Sequence, residues 1–160
     1  MKFEVPEPMK IEHEELHSEL VRATNAGGKT GEAARAVAKV LHPHFLKEEE
    51  YALPPLGLLV RLSEGKFDRD MDEVLAMTDK LEAELPRMLS EHRDIVAALQ
   101  ELIAASKAEG KPEVADFARK LVLHAQTEEQ VAYPTSLLIG RYVKLQLAAT
   151  TRVPKAQSAA

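Results

Sequence analysis

One stretch of this chain occurs twice, and the repetition constrains the fold more than anything else in the sequence. HFLKEEEYALP runs from His44 to Pro54, and HAQTEEQVAYP from His124 to Pro134. The offset is 80 residues at His44/His124, Glu48/Glu128, Glu49/Glu129, Ala52/Ala132 and Pro54/Pro134. It extends to Leu41/Leu121, Leu58/Leu138 and Arg61/Arg141. An echo precedes each copy, at Glu12-His13 and Glu91-His92. Two related halves, each offering a His and then a His-x3-Glu, imply one two-fold site assembled from both.

The surrounding pattern is helical. Apolar residues and His recur at steps of three and four. The first stripe is Met9, His13, Leu16, His17 and Leu20; the second is Val37, Leu41, His44, Glu48 and Tyr51. The third is Leu89, His92, Val96, Leu99 and Ile103; the fourth is Val114, Phe117, Leu121, His124, Glu128 and Val131. Aromatics make up only 4 % of the chain, and Ala, Leu, Glu and Lys abound, which favours helix. Four helices follow, over about 9–25, 31–52, 87–109 and 112–134. Gly27-Gly28 and Gly110 close the first and third. Pro43 predicts a bend before His44, Pro86 a break or kink, and Pro54 and Pro134 the ends of their helices. Between them, 56–62 reads as a short helical turn and 71–85 as a further helix. Residues 137–147 read as a short fifth helix after the bundle. The expected fold is all-α: an internally duplicated, antiparallel up-down-up-down four-helix bundle with additional short helices. Residues 1–8 read as an extended arm, 9–148 as the bundle and 149–160 as a disordered tail.

Four inward faces would bring together His13, His17, His44, His92, His124, Glu48 and Glu128. On a helix, residues four apart share a face, so each His-x3-Glu aims an imidazole and a carboxylate at one point. Seven polar groups in an aliphatic core are hard to reconcile with packing alone. Buried carboxylates are costly and buried imidazoles need partners. No Lys or Arg lies on these stripes to neutralise them, so the positive charge has to come from metal. The chain has no Cys, so thiolate sites, disulfides and Cys nucleophiles are excluded. Imidazole and carboxylate without thiolate suit iron, manganese or zinc. Seven ligands exceed one tetrahedral site and fit two metals about 3.5–4 Å apart. Two octahedral metals offer 12 positions; two bridging carboxylates, five His and one bridging oxygen leave one open for a small molecule.

Other residues carry alternative readings. A lone His on an apolar face is more often a core His bonded to a carbonyl, and repetition in register is what favours ligation here. His17 has no partner in the repeat, so a pocket role stands beside ligation. His42 lies off the stripe, before Pro43. Glu49 and Glu129 point about 100° away from the ligand face, which suits an interhelical contact or a hydrogen bond to a ligand. Tyr51 suits core packing.

These residues resemble the hemerythrin family, and more closely its bacterial branch of duplicated His–His–Glu cation-binding domains. The resemblance rests on EH at 12–13, HFLKEE at 44–49, EH at 91–92 and HAQTEE at 124–129, with both prolines. It implies an oxo- or hydroxo-bridged di-iron centre in the bundle. His13, His44, His92 and His124 then match the imidazole ligands, and Glu48 and Glu128 the bridging carboxylates. Family roles include reversible O2 binding, O2 or redox sensing, iron handling and responses to nitric oxide or peroxide. The chain departs from oxygen carriers in two places. Their second His in the third helix is Val96 here, and the His-x3-His pair is His13/His17 on the first helix. Their longer His–Asp spacing is replaced by His-x3-Glu.

The expected function is binding of O2 or a related small ligand at a two-iron centre, for sensing, storage or stress response. Manganese or zinc are possible substitutes. No catalytic acid or base stands out beyond the ligands, so a redox enzyme acting on peroxide or nitric oxide ranks second. A metal-free helical interaction module is the third reading. The net charge of −5 argues against nucleic acid or an anionic membrane as partner. A signalling protein partner stays open. The N-terminus lacks a signal-peptide pattern and no apolar run approaches a spanning helix; the expected location is the cytoplasm.

Overall fold

The computed structural model describes residues 3–152. Six α-helices account for most of them: α1 (Glu7–Thr24), α2 (Gly28–Lys47), α3 (Leu59–Ser63), α4 (Val74–Ala108), α5 (Pro112–Thr127) and α6 (Tyr133–Arg152). Helices α1, α2, α4 and α5 pack in a closed ring, each against two neighbours, and form the four-helix bundle. Helix α6 and the short elements before α4 cover one end of it.

The helix starts follow from local chemistry. Pro6 precedes α1 and Pro8 sits in its first turn, where a missing N–H leaves nothing unsatisfied. Pro112 does the same for α5. Gly27 and Gly28 take φ of 73° and 59° to turn α1 into α2, a backbone region that only glycine enters freely. Helix α2 has no cap of its own. Glu109, at the end of α4, supplies one. Its carboxylate accepts the Lys29 N–H at 2.7 Å, the Thr30 N–H at 3.1 Å and the Thr30 hydroxyl at 2.6 Å.

Helices α2 and α5 each widen into a π-helical turn, Glu48–Ala52 and Glu128–Ala132. In the first, the Leu53 N–H reaches back five residues to the Glu48 carbonyl at 2.9 Å. In the second, the Tyr133 N–H does the same to Glu128. A proline follows each turn, at Pro54 and Pro134. It has no N–H for the ordinary ladder, and the wider turn accommodates it. Pro134 therefore does not end a helix, as the sequence suggested; the chain carries on into α6. Pro86 does not break α4 either. It removes one backbone bond, and burial of Leu81 and Met88 on its two sides keeps 74–108 one helix.

The ends differ from expectation as well. Helix α1 begins at Glu7, inside the expected arm. Val5 is buried, and a Cβ on Gly57 would lie 2.5 Å from the Glu4 carbonyl oxygen, so the arm packs closely on the Pro54–Leu58 turn. Residues 149–152, expected in a disordered tail, belong to α6; 153–160 lie outside the described residues.

The core has two storeys. Leu16, Leu20, Val37, Leu41, Leu99, Phe117 and Leu121 fill the bundle towards the Gly27 end. Leu53, Met71, Val74, Ile139 and Val143, with Tyr51, Leu81 and Met88, fill the end under α6. Each such apolar side chain contributes on the order of 1.5–3 kcal/mol by leaving water. Six of the seven polar residues singled out in the sequence, all but His17, lie between the storeys. Among the described residues, no helix is long and apolar enough to cross a membrane.

Candidate metal centre

Six ionisable side chains converge there, none more than 4 % exposed: His13, His44, Glu48, His92, His124 and Glu128. They form two groups, His13/His124/Glu128 and His44/Glu48/His92. Within each group one ligand atom per residue lies within 4.8 Å of the others. Each group draws on both halves of the chain, the first on α1 and α5, the second on α2 and α4.

In the first group, His124 Nε2 lies 3.1 Å from Glu128 Oε1, and His13 Nε2 lies 3.3 Å from the same oxygen. The two Nε2 atoms are 3.2 Å apart. In the second, His44 Nε2 is 3.1 Å and His92 Nε2 3.6 Å from Glu48 Oε1. The other carboxylate oxygens turn towards the opposite group. Glu128 Oε2 is 3.6 Å from His92 Nε2, and Glu48 Oε2 is 4.0 Å from His13 Nε2. Each glutamate thus faces both groups, as a carboxylate bridging two metals does.

A carboxylate stands on the far side of every imidazole, hydrogen-bonded at His44 and His92 and not at His13, whose Nδ1 is buried without a hydrogen-bond partner. His44 Nδ1 lies 2.9 Å from Glu91, His92 Nδ1 3.0 Å from Glu129, His124 Nδ1 3.3 Å from Glu12 and His13 Nδ1 3.5 Å from Glu49. The arrangement is crossed. The Glu beside one inward residue holds an imidazole on another helix. Glu49 and Glu129 play the interhelical role their spacing suggested. Glu12 and Glu91 do the same, although in the sequence they were only the neighbours of His13 and His92. Their signal was duplication of the whole EH pair. Such carboxylates fix the tautomer and raise the basicity of a metal-binding imidazole.

In the tautomer with the proton on Nδ1, which an outward carboxylate favours, each Nε2 presents a lone pair to the centre. Carboxylate oxygens are its neighbours there, and Glu48 Oε2 is buried without a hydrogen-bond partner. Acceptors facing acceptors in a dry interior require protons or cations. Protons are one answer. Burial opposes the charged form of His124, but the hydrogen bond and charge of Glu128, with Glu12 and Glu48, outweigh it and raise its pKa to about 9. Burial is likewise outweighed at His13, through Glu128 and Glu48, and at His44, through Glu48 and Glu91, so both are raised. Burial would raise Glu48, yet hydrogen bonds from His44 and His92 hold it well below the usual carboxylate range. A pair of divalent cations is the other answer, and the donor set fits it: imidazole and carboxylate, with no thiolate.

Two features depart from the sequence reading. His17 is not part of the convergence. It is exposed, one turn above His13, because Leu16 and Leu20 take the inward positions on α1. Its ring lies 6.3 Å from that of His42. The two line a surface cavity of about 430 Å³ between α1 and α2 that reaches His13, Phe45 and Glu49. The second feature is Tyr133, which the repeat comparison passed over. It is 1 % exposed. Its hydroxyl donates to Glu48 Oε1 and lies 3.1 Å from His92 Nε2 and 3.3 Å from His44 Nε2. Burial and the charges of Glu48 and Glu128 push its pKa strongly upward. Its counterpart in the first half is Leu53, so the two groups differ here. The available signal was that mismatch, a Tyr facing a Leu between the matching Ala52/Ala132 and Pro54/Pro134.

No curated protein and no solved structure matches the chain. A family match does cover residues 9–136, which include every residue of both groups. The chain belongs to the hemerythrin HHE cation-binding domain family.

Proposed function

We propose that the chain holds two iron ions between its two groups and binds O2 or a related small ligand there, for sensing, storage or stress response. The observation that carries this is the inward set of lone pairs: four Nε2 atoms and two carboxylates, buried and facing one another, with Glu48 Oε2 unpartnered. Bound metal would supply Lewis acidity and, as iron, redox capacity. The chain's own residues do the rest. His13, His124 and Glu128 would hold one ion, His44, Glu48 and His92 the other, and the two glutamates would bridge. Glu12, Glu49, Glu91 and Glu129 orient the imidazoles from outside. The apolar storeys above and below exclude bulk water.

Four imidazoles in place of five leave two positions in the octahedral tally instead of one. The cavity beside His13 offers a small molecule a way towards the first group. The test is metal analysis of protein purified from iron-supplemented growth, with visible spectra before and after addition of O2 or azide. About two irons per chain and a ligand-dependent spectrum are expected. A clean, folded preparation that takes up no iron refutes the reading.

A further inference from the structure

At Tyr133 the two halves of the centre differ in chemistry. We propose that the Tyr133 hydroxyl oxygen is a direct ligand of the metal held by His44, Glu48 and His92, which leaves the metal held by His13, His124 and Glu128 as the one open to small molecules. This rests on the two-metal reading above.

The distances carry it. Metal–nitrogen bonds are about 2.1 Å, so two ligand atoms at right angles on one metal lie about 3.0 Å apart. His44 Nε2 and Glu48 Oε1 meet that spacing at 3.1 Å, and His13 and His124 Nε2 at 3.2 Å. The Tyr133 oxygen meets it as well, at 3.1 Å from His92 Nε2 and 3.3 Å from His44 Nε2, in contact with Glu48 Oε1. It therefore lies about as close to the two imidazole nitrogens of its group as Glu48 Oε1 does, at 3.1 Å and 3.6 Å. Where both imidazoles carry their proton on Nδ1, the one phenol proton cannot satisfy Glu48 and two Nε2 lone pairs, whereas a cation among the four atoms can. On coordination the O–H bond is lost, the oxygen–metal bond forms and the proton passes to solvent.

Leu53 holds the matching place after the first π turn, buried and without a donor atom. The first group therefore has no equivalent ligand. It is also the group whose His13 borders the α1/α2 cavity, with Phe45 stacked on its ring at 4.3 Å. The unfilled position and the approach from solvent fall on the same metal.

The test compares air-oxidised, iron-loaded wild type, Tyr133→Phe and Tyr51→Phe, with iron analysis on each. Tyr51 serves as control because its hydroxyl reaches Met88 Sδ, away from the centre. The expected result is a visible phenolate-to-iron(III) charge-transfer band with resonance-enhanced tyrosine ring modes. Both are lost in Tyr133→Phe and kept in Tyr51→Phe, with about two irons per chain throughout. Two irons without such a band in wild type, or a band that survives Tyr133→Phe, overturns the proposal and leaves the two-metal reading intact. Wild type that binds no iron overturns both. Should Tyr133→Phe not fold, the wild-type spectrum with ring-deuterated tyrosine decides: ring modes that shift support the ligand, and their absence overturns it.

Discussion

Removing the metal should reverse how the protein's stability responds to pH. Without cations, the inward lone pairs are satisfied by protons, and His124 shows how much this matters. Its pKa rises from 6.5 to about 9 on folding. At about 1.4 kcal/mol per pH unit, that rise is worth roughly 3 kcal/mol. Because the folded pKa is the higher one, this stability is fully present below pH 6.5 and is lost as pH rises through about 9. The raised values at His13 and His44 act in the same direction. In a domain of this size, 1 kcal/mol moves Tm by about 2–4 °C, so chelated protein should lose roughly 6–12 °C across that window from His124 alone. Metal binding needs the same imidazoles unprotonated, so its affinity grows as they titrate. Metal-loaded protein should hold its Tm or gain. Thermal melts followed by circular dichroism, chelated and loaded, across the same pH series measure both arms. A chelated Tm that is flat or rising from pH 6.5 to 9, or two parallel curves, refutes the reasoning.

Other perturbations probe separate parts of the structure. Glu91→Gln weakens the carboxylate hold on His44 Nδ1; metal affinity measured by chelator competition should fall about 10–100-fold with the fold retained. Glu109→Gln should destabilise the protein above pH 4.5, since it caps α2 and its pKa is lowered to about 2 by bonds from Thr30, Lys29 and Lys111. The depressed folded value means the gap in Tm between wild type and variant closes as pH falls towards 2; a constant gap argues against the cap. Gly140→Ala would place a Cβ 2.3 Å from Thr78 Oγ1, forcing α6 off α4. A loss of about 1–3 kcal/mol in urea denaturation is expected, and a neutral result would show that the contact yields.

Much of the centre was legible because a His-x3-Glu repeated in register constrains both helix phase and chemistry. The four inward imidazoles and both glutamates sit where periodicity placed them. His17 shows the limit of that reasoning. Steps of three and four both remain on a stripe, and only packing decides that Leu16 rather than His17 turns inward. Glu12 and Glu91 were visible as repeats but not as partners, because a side chain one residue off the inward face meets a neighbouring helix that the sequence does not position. Proline misled at Pro134, and at Pro86 in so far as it suggested a break. Its local cost is real, but tertiary packing at Pro86 and a π turn before Pro134 absorb it. Tyr133 was hidden by the repeat itself, which draws attention to positions that agree.

The crossed make-up of the centre has a consequence for how it can change. Each group takes side chains from both halves of the chain, so a protein made of one half could build the centre only by pairing with a copy of itself. Such a symmetric dimer must place the same residue at both equivalent positions. Joining the halves in one polypeptide lifts that restriction, and a single substitution can then act at one metal seat without touching its twin. The Leu53/Tyr133 difference is of the kind only the joined form permits.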